Sequence, residues 1–541
     1  MQKYMDFINK TVPKVLTQVD RDRHSPTYGC CDRNFWHLKI RDFSSAILQQ
    51  TGLSIALLTT VPYPGNVFYG REDVKDWARA SVYYWEKIQL KDGSFNEYYP
   101  FEHGFPPTAF SLYSSCETYK RLNMDEPKLT EAFSRTGKYL ASHRETEAYN
   151  QEMASITALY SLYTITKENW VLSAVNRKLL LLLEVQSEDG FFPEYGGADI
   201  GYLSVFFDMM AEYYWMSRDE RVLKPLEKIL SFLLFFIHPD RTAGGEYGSR
   251  NTTYFLPNGL EVMRQLGYPE AEAARDWLFE DADKTGFFMD SVDDRYCSHY
   301  LLHSFLRALE KEIQGGATCT EKVVLPFHAG KSTYFSDAGF WSHSEWIERG
   351  IPVYMIVGAR KGGVLKLYGK GEQVFADFGY RVNYGKGKIA VTNWQDPSYI
   401  VKQKGNSLTV SGHFNLVTLK VGSPFLHLGL RAVAFVAGNK IIRFLKKKII
   451  LVDKHTDIAF RRKITFQDGV LQIEDEIESP KPVCLEGADS PSVRHVASGK
   501  FFSISDLCFH DCKSYGNSKK FYIKKKYDCQ SGRFIENEEL K

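Results

Sequence analysis

The fold class this 541-residue chain predicts is multidomain, α then β: an N-terminal incomplete (α/α) toroid followed by a C-terminal antiparallel β-sandwich. Three observations predict it. Apolar stripes recur at three-to-four spacing from about residue 40 to 312, a loop motif repeats within them, and short β-rich runs take over after Gly315-Gly316. At this length a single hydrophobic core has stopped growing, so at least two are expected. With 44% hydrophobic and 25% charged residues, the chain has ordinary globular composition and no signature of disorder.

Phe43, Ile47 and Leu48, then Leu53, Ala56 and Leu57, open the helical series. Segments Asp73 to Gln89, Thr108 to Arg121, Leu129 to His143, Glu152 to Thr166, Glu168 to Val185, Tyr202 to Met216, Leu223 to Ile237, Pro257 to Leu266, Pro269 to Glu280 and Tyr300 to Glu312 continue it. Asp92-Gly93-Ser94-Phe95-Asn96-Glu97-Tyr98 returns as Asp189-Gly190-Phe191-Phe192-Pro193-Glu194-Tyr195, an offset of 189 − 92 = 97 residues, each copy between two expected helices. Gly244-Gly245-Glu246-Tyr247-Gly248 and Thr285-Gly286-Phe287-Phe288 are further loop signals, and Asn150-Gln151-Glu152 opens a helix midway between the copies. Helical hairpins therefore recur about every 40 to 55 residues. One hairpin cannot bury its apolar stripe alone, but a ring of them can, and the loops at one end of a ring share a cleft. The plainer reading of Asp-Gly is that it stops one helix while an acidic residue helps cap the next. Residues 1–40 read as an N-terminal arm and 41–315 as the toroid.

Residues 323–541 read as the sandwich, with short runs at Val353 to Val357, Val364 to Tyr368, Ile389 to Thr392, Ser407 to Val410, Leu416 to Val421, Arg431 to Val436, Lys440 to Leu445, Lys448 to Val452 and Val470 to Ile473. From Lys440 to Lys463, nine Lys or Arg face only Asp453 and Asp457, a pattern that suits a solvated strand edge and could also track a polyanion.

A formal charge of +2 gives no reason to expect nucleic acid. The N-terminus lacks a continuous apolar segment of the secretory kind, and the best candidate for a membrane span, Ile229 to Ile237, is too short to cross a bilayer. No membrane partner and a cytoplasmic location are expected. Nine irregularly spaced cysteines suggest reduced thiols, and Cys508, His510 and Cys512 match no common zinc spacing, so neither metal nor cofactor is expected. Aromatic residues make 14% of the chain; most serve core packing, but Tyr and Trp faces also suit sugar rings.

At its loops the sequence resembles the heparinase II/III-type polysaccharide lyases and their alginate-lyase relatives, which join an incomplete (α/α) toroid to an antiparallel β-sandwich. Asp189-Gly190-Phe191-Phe192-Pro193-Glu194-Tyr195 running to Gly201-Tyr202-Leu203 is similar to the family stretch that precedes a helix-borne proton-transfer Tyr. Asn150-Gln151 resembles the family's Asn-His pair, whose Asn holds the substrate carboxylate. Phe335 to Trp341 and Phe375 to Tyr380 look like its sandwich landmarks. Two departures stand out: Gln151 replaces a His, and Gly358 to Leu365 lies where members carry His-x-Asp.

The resemblance implies an acidic polysaccharide or oligosaccharide as partner and proton abstraction at C5 of a uronic acid, by a β-elimination lyase or a C5-epimerase. Such a step needs charge developing on the carboxylate to be stabilised while a base approaches. Asn150, Gln151 and Arg250 are the candidates to hold that carboxylate, and Tyr202 is the candidate base or acid, with Tyr247 as its substitute. Glu194, Glu246 and His103 offer further substrate contacts. Arg33 and Trp36 either reach over the cleft or pin an arm against the toroid. A glycoside hydrolase of the (α/α) type, drawing on Glu97, Glu194, Glu246 or the Glu102-His103 pair, remains open, as does a non-catalytic glycan-binding or assembly protein. The oligomeric state is not legible.

Overall fold

The computed structural model describes residues 1–284, 286–316, 321–347, 350–418, 422–438, 454–489, 507 and 513–540. Helices fill the first part: Gln2–Thr17 (α1), Arg33–Trp36 (α2), Thr51–Thr60 (α3), Glu72–Lys87 (α4), Phe105–Arg121 (α5), Pro127–Ser142 (α6), Tyr149–Thr166 (α7), Asn169–Leu183 (α8), Ile200–Ser217 (α9), Leu223–Leu233 (α10), Asn258–Gln265 (α11), Pro269–Phe279 (α12), Asp294–Tyr296 (α13) and Leu302–Gln314 (α14). Contacts sort them into two sets. Helices α3, α5, α7, α9, α11 and α14 each touch the next, and α14 touches α3, closing the cycle. Outside them, α4, α6, α8, α10, α12 and α1 each pack on a member of that set.

The sequence explains the sorting. Every residue from Thr51 to Thr59 in α3 is buried, and α7 buries Asn150, Glu152 to Leu159, Ser161 and Leu162, as expected of helices apolar on most sides. By contrast α6 and α10 bury only one stripe, Leu129, Ala132, Phe133 and Leu140 in the first and Leu226, Ile229, Leu230 and Leu233 in the second.

The two repeat copies fold alike. Leu90 N–H donates to Ser94 O and Gly93 N–H to Leu90 O; 97 residues on, Ser187 N–H donates to Phe191 O and Gly190 N–H to Ser187 O. Both glycines hold positive φ, 87° and 106°, and a Cβ there would lie 2.5 Å from the carbonyl oxygens of Arg135 and Lys228 on the following outer helices. Only glycine satisfies both demands.

The segment 1–40, expected as an arm, contains α1, which packs on α14 and buries Tyr4, Phe7, Ile8, Val12 and Val15. The apolar stripe of that helix runs on past Pro13 to Val15 and Leu16.

After the helices come Ser332–Phe335 (β1), Phe340–Ile347 (β2), Ile351–Gly358 (β3), Val364–Gly369 (β4), Glu372–Asp377 (β5), Tyr380–Gly385 (β6), Lys388–Val391 (β7), Ile400–Lys404 (β8), Ser407–Thr418 (β9), helix Pro424–Ala437 (α15), His455–Gln467 (β10), Val470–Gly487 (β11), Ser514–Asp528 (β12) and Arg533–Leu540 (β13). Strands β1 to β5 form one sheet in sequence order; β6 to β13 form a second in the order β10-β9-β7-β6-β11-β12-β13, with β8 on β9 and β10 also paired to β11. Every pairing is antiparallel.

Alternation along the first sheet buries both its faces. Phe340, Tyr354, Ile356 and Tyr368 join the helical core, while Trp341, Met355, Val357, Leu365 and Leu367 share a core with Leu408, Val410, Ile464 and Ile473 of the second sheet. The first sheet is thus the middle of three layers.

One expectation is overturned: Arg431 to Val436 is not a strand but part of α15. Pro424 opens that helix and the Ser423 hydroxyl caps it, accepting from Leu426 N–H at 3.3 Å. The runs Ser407 to Val410 and Leu416 to Val421 belong to one strand as far as Thr418. The expected strands Lys440 to Leu445 and Lys448 to Val452, with Cys319, Cys508, His510 and Cys512, lie outside the described residues. No helix among the described residues is long and apolar enough to cross a membrane.

Candidate active site

Loops that lead into the inner helices meet at one end of the helical cycle. Ala46 N–H donates to Asn96 O, Tyr149 N–H to Pro193 O, and Ala148 bridges Glu194, so the loop before each of α5 and α9 is tied to the start of the preceding inner helix. The Arg295 guanidinium joins Glu97 at 2.7 Å, linking the α13 turn before α14 to the loop before α5. Polar residues in these loops are therefore gathered beside N-terminal helix ends, whose unpaired N–H groups favour anions.

The densest cluster joins α7, the loop into α9 and the loop into α11. Asn150, in the first turn of α7, donates from Nδ2 to Glu194 Oε2 at 2.5 Å. Burial drives the Glu194 carboxyl up to about 8, against the pull of the Arg250 guanidinium and the Asn150 hydrogen bond, so it carries a proton at neutral pH. Arg250 lies over the Tyr195 ring at 4.0 Å and within 5.5 Å of the Tyr202 ring. Its Nε and Nη1 are buried with no hydrogen-bond partner, as are Glu194 Oε1 and Gln151 Oε1. The unpaired guanidinium donors, beside a protonated carboxyl, suit an anion.

Asp199 builds the frame. It caps α9, accepting from Tyr202 N–H at 3.1 Å, and its other oxygen accepts from Arg250 N–H at 2.9 Å, so one carboxylate fixes both the Tyr202 helix and the Arg250 backbone. Thr252 Oγ1 also donates to it. Sequence reasoning passed over Asp199, although an Asp directly before an apolar helix is a cap signal.

The sheets support the same loop from below. Lys361, buried in the turn after β3, donates from Nζ to Gly248 O at 2.7 Å and to Asn251 Oδ1. Lys366 on β4 pairs with Glu246 at 2.7 Å. Burial would raise the Glu246 carboxyl, but the Lys366 ammonium more than reverses this and lowers it. Gln395, from the segment after β7, comes against Gly197. Asp189 accepts from the N–H groups of Asp337 and Ala338 at 2.8 and 2.9 Å, fixing the second repeat copy to the first sheet.

Of the residues expected from sequence, the structure brings together Asn150, Glu194, Arg250 and Tyr202, and Gln151 follows Asn150 in α7 with its Oε1 buried and without a hydrogen-bond partner. Glu246 lies in the adjoining loop, committed to Lys366. Tyr247 is corrected: it is fully buried between Phe236 and Phe340, its hydroxyl bonded to His238 Nε2 at 2.9 Å, so it is a core residue. His103 is held in the first repeat loop by Asp92 at 2.6 Å and Ser94 at 2.9 Å. Trp36 turns to the N-terminal segment and donates its indole N–H to Gln18 O at 2.7 Å. Arg33 is half-buried in α2, and no hydrogen bond or ion pair among the described residues joins it or Trp36 to the Arg250 cluster. Glu97 and Glu102 lie close together; Glu102 accepts from the N–H groups of Glu97 and Tyr98 at 2.6 and 2.7 Å, and burial with the nearby Glu97 charge pushes it up to about 8. No group of three or more His, Cys, Asp or Glu among the described residues could hold a metal ion.

No protein-family model matches this chain, and no curated protein sequence matches it. Solved structures match in fold. A xanthan lyase from Paenibacillus aligns over 90% of this chain with a TM-score of 0.52 at 12% identity, and the chain spans 46%, about half, of that protein's length. The chondroitin AC lyase of Streptomyces coelicolor A3, solved in complex with chondroitin sulphate, aligns over 90% with a TM-score of 0.54 at 10% identity, covering 67% of that chain. At such identities the likeness is one of fold.

Proposed function

We propose that this protein acts on a uronic-acid-containing polysaccharide by removing the C5 proton, with the closed cycle of helix pairs read as an (α/α) toroid over residues 41–315 and the two sheets as a β-sandwich over 323–541. The observation that carries the reading is Arg250: a buried guanidinium with free Nε and Nη1, braced on Tyr195 and Tyr202, beside a protonated carboxyl. The substrate carboxylate accepts from the Arg250 guanidinium, and Glu194, held by Asn150, supplies a neutral donor in place of a repelling charge. Neutralising that carboxylate makes the adjacent C5–H more acidic. Tyr202, acting as the phenolate beside the Arg250 cation, takes the C5 proton and becomes the phenol; the electron pair forms the C4–C5 double bond, the C4–O bond breaks, and the phenol passes that proton to the departing oxygen, regenerating the phenolate. Return of the proton to the opposite face of C5, without C4–O cleavage, would make the same site an epimerase. Fold likeness to a xanthan lyase and a chondroitin AC lyase supports the elimination reading.

The test is incubation with xanthan, chondroitin and other acidic glycans, following near-ultraviolet absorbance, reducing ends and deuterium uptake in parallel. Absorbance is the expected result, and deuterium uptake without cleavage marks the epimerase. New reducing ends without absorbance would replace the proposal with hydrolysis; silence in every channel would leave a glycan-binding role.

A further inference from the structure

The repeated loop builds the same constellation twice. In the second copy Glu194 and Tyr195 meet Arg250; in the first, Glu97 and Tyr98 meet Arg295, with the carboxylate 2.7 Å from the guanidinium and the cation 5.3 Å from the Tyr98 ring. The backbone agrees: Asn96 O accepts from Ala46 N–H as Pro193 O, 97 residues later, accepts from Tyr149 N–H. We propose that Glu97, Tyr98 and Arg295 form a second sugar-binding station, which stacks a pyranose ring of the same polysaccharide chain at a distance from the unit held at Arg250. This rests on the reading of the Arg250 cluster as a uronate site.

One difference between the copies gives the stations different tasks. By the backbone match, Asn150 has Ile47 as its counterpart, and an apolar side chain offers nothing to a carboxylate. Glu194 therefore turns to Asn150 and leaves two Arg250 nitrogens open, whereas Glu97 turns to Arg295 and uses its charge. Arg295 at the first station is already committed to Glu97. What that station offers is a ring: Tyr98 is 59% exposed, braced on one face by Arg295, and an exposed ring with a rigid cationic backing suits the apolar face of a sugar. The stations share a floor. Tyr202 packs against Tyr254 at 6.1 Å, Tyr254 against Tyr296 at 6.1 Å, and Tyr296 is the chain neighbour of Arg295.

The experiment is calorimetric titration of the full-length protein with chondroitin and xanthan oligosaccharides fractionated by length, from disaccharide to hexasaccharide. Wild type is expected to bind longer chains more tightly. Tyr98→Ala should lose that gain, about three- to tenfold at the hexasaccharide, while matching wild type on the disaccharide. Tyr98→Phe, which keeps the ring, should restore the gain. Arg250→Ala should lose disaccharide binding. A length-dependent gain that survives intact in Tyr98→Ala overturns this inference and leaves the Arg250 reading standing; absence of any binding by wild type overturns both.

Discussion

Replacing Glu194 by Gln removes a titration while keeping a neutral, hydrogen-bonding side chain of nearly the same shape. Burial raises the folded-state pKa from an ordinary 4.5 to about 8, so the folded protein binds a proton here that the unfolded chain releases. Stability from this group is complete below about pH 4.5 and is lost as pH rises to about 8, above which it stays flat. At about 1.36 kcal/mol per pH unit, the loss is roughly 3 kcal/mol by pH 7 and nearly 5 kcal/mol at the plateau. Glu102, raised likewise to about 8, contributes a second slope of the same sign that the substitution leaves in place. Urea unfolding of wild type and Glu194→Gln at a series of pH values should therefore give curves that converge under acid and diverge through neutrality, with the variant the more stable at pH 8. Activity of the variant should also lose the alkaline decline that deprotonation of Glu194 imposes on wild type. Parallel stability curves over the whole range would refute the assignment of a buried, protonated Glu194.

Tyr202→Phe should lower kcat about 10²- to 10⁴-fold while leaving oligosaccharide affinity nearly unchanged; full activity would remove Tyr202 as the proton carrier. Arg250→Lys, which keeps the charge but loses the guanidinium's fixed donors, should weaken disaccharide binding by about 1.5 to 3 kcal/mol in calorimetry, and wild-type affinity would contradict recognition by the guanidinium. Lys361→Met should leave Gly248 O and Asn251 Oδ1 without their shared buried donor, costing about 1 to 3 kcal/mol in thermal melts and lowering kcat more than it raises KM; an unchanged melt would show that the Arg250 loop does not depend on the sheet.

Helices were legible where their signal is local. Stripes at three-to-four spacing placed α4 to α12 within a few residues, because each helix in a hairpin shows its apolar face in its own sequence. Helix α1 carries such a stripe too, running past Pro13, although its segment reads as an arm, and Arg431 to Val436 of α15 fits a strand because a short apolar run suits either period until the capping Ser423 and Pro424 are weighed. Within the site, Asn150, Glu194, Tyr202 and Arg250 could be named from loop motifs. The roles of Lys361 and Lys366 could not, since they follow from which face of the middle sheet meets the helices. The error over Tyr247 has the same origin: a Tyr in a Gly-rich loop looks exposed until a second layer covers it.

Burying Arg250 with two unpaired nitrogens beside a raised carboxyl costs stability, and nothing in packing alone requires it. Arg295 shows the alternative within the same molecule: given the same Glu-Tyr loop, it is neutralised by Glu97 at 2.7 Å. The chain therefore has a satisfied version of the constellation and keeps an unsatisfied one, held open by Asn150 drawing Glu194 aside and by Asp199 and Lys361 fixing the backbone on both sides of Arg250. Such an arrangement persists only if rigid neighbours over-determine it, and here they come from α7, α9 and the middle sheet at once. That convergence is the reason to assign the open copy to an anion and the closed copy to an uncharged ring.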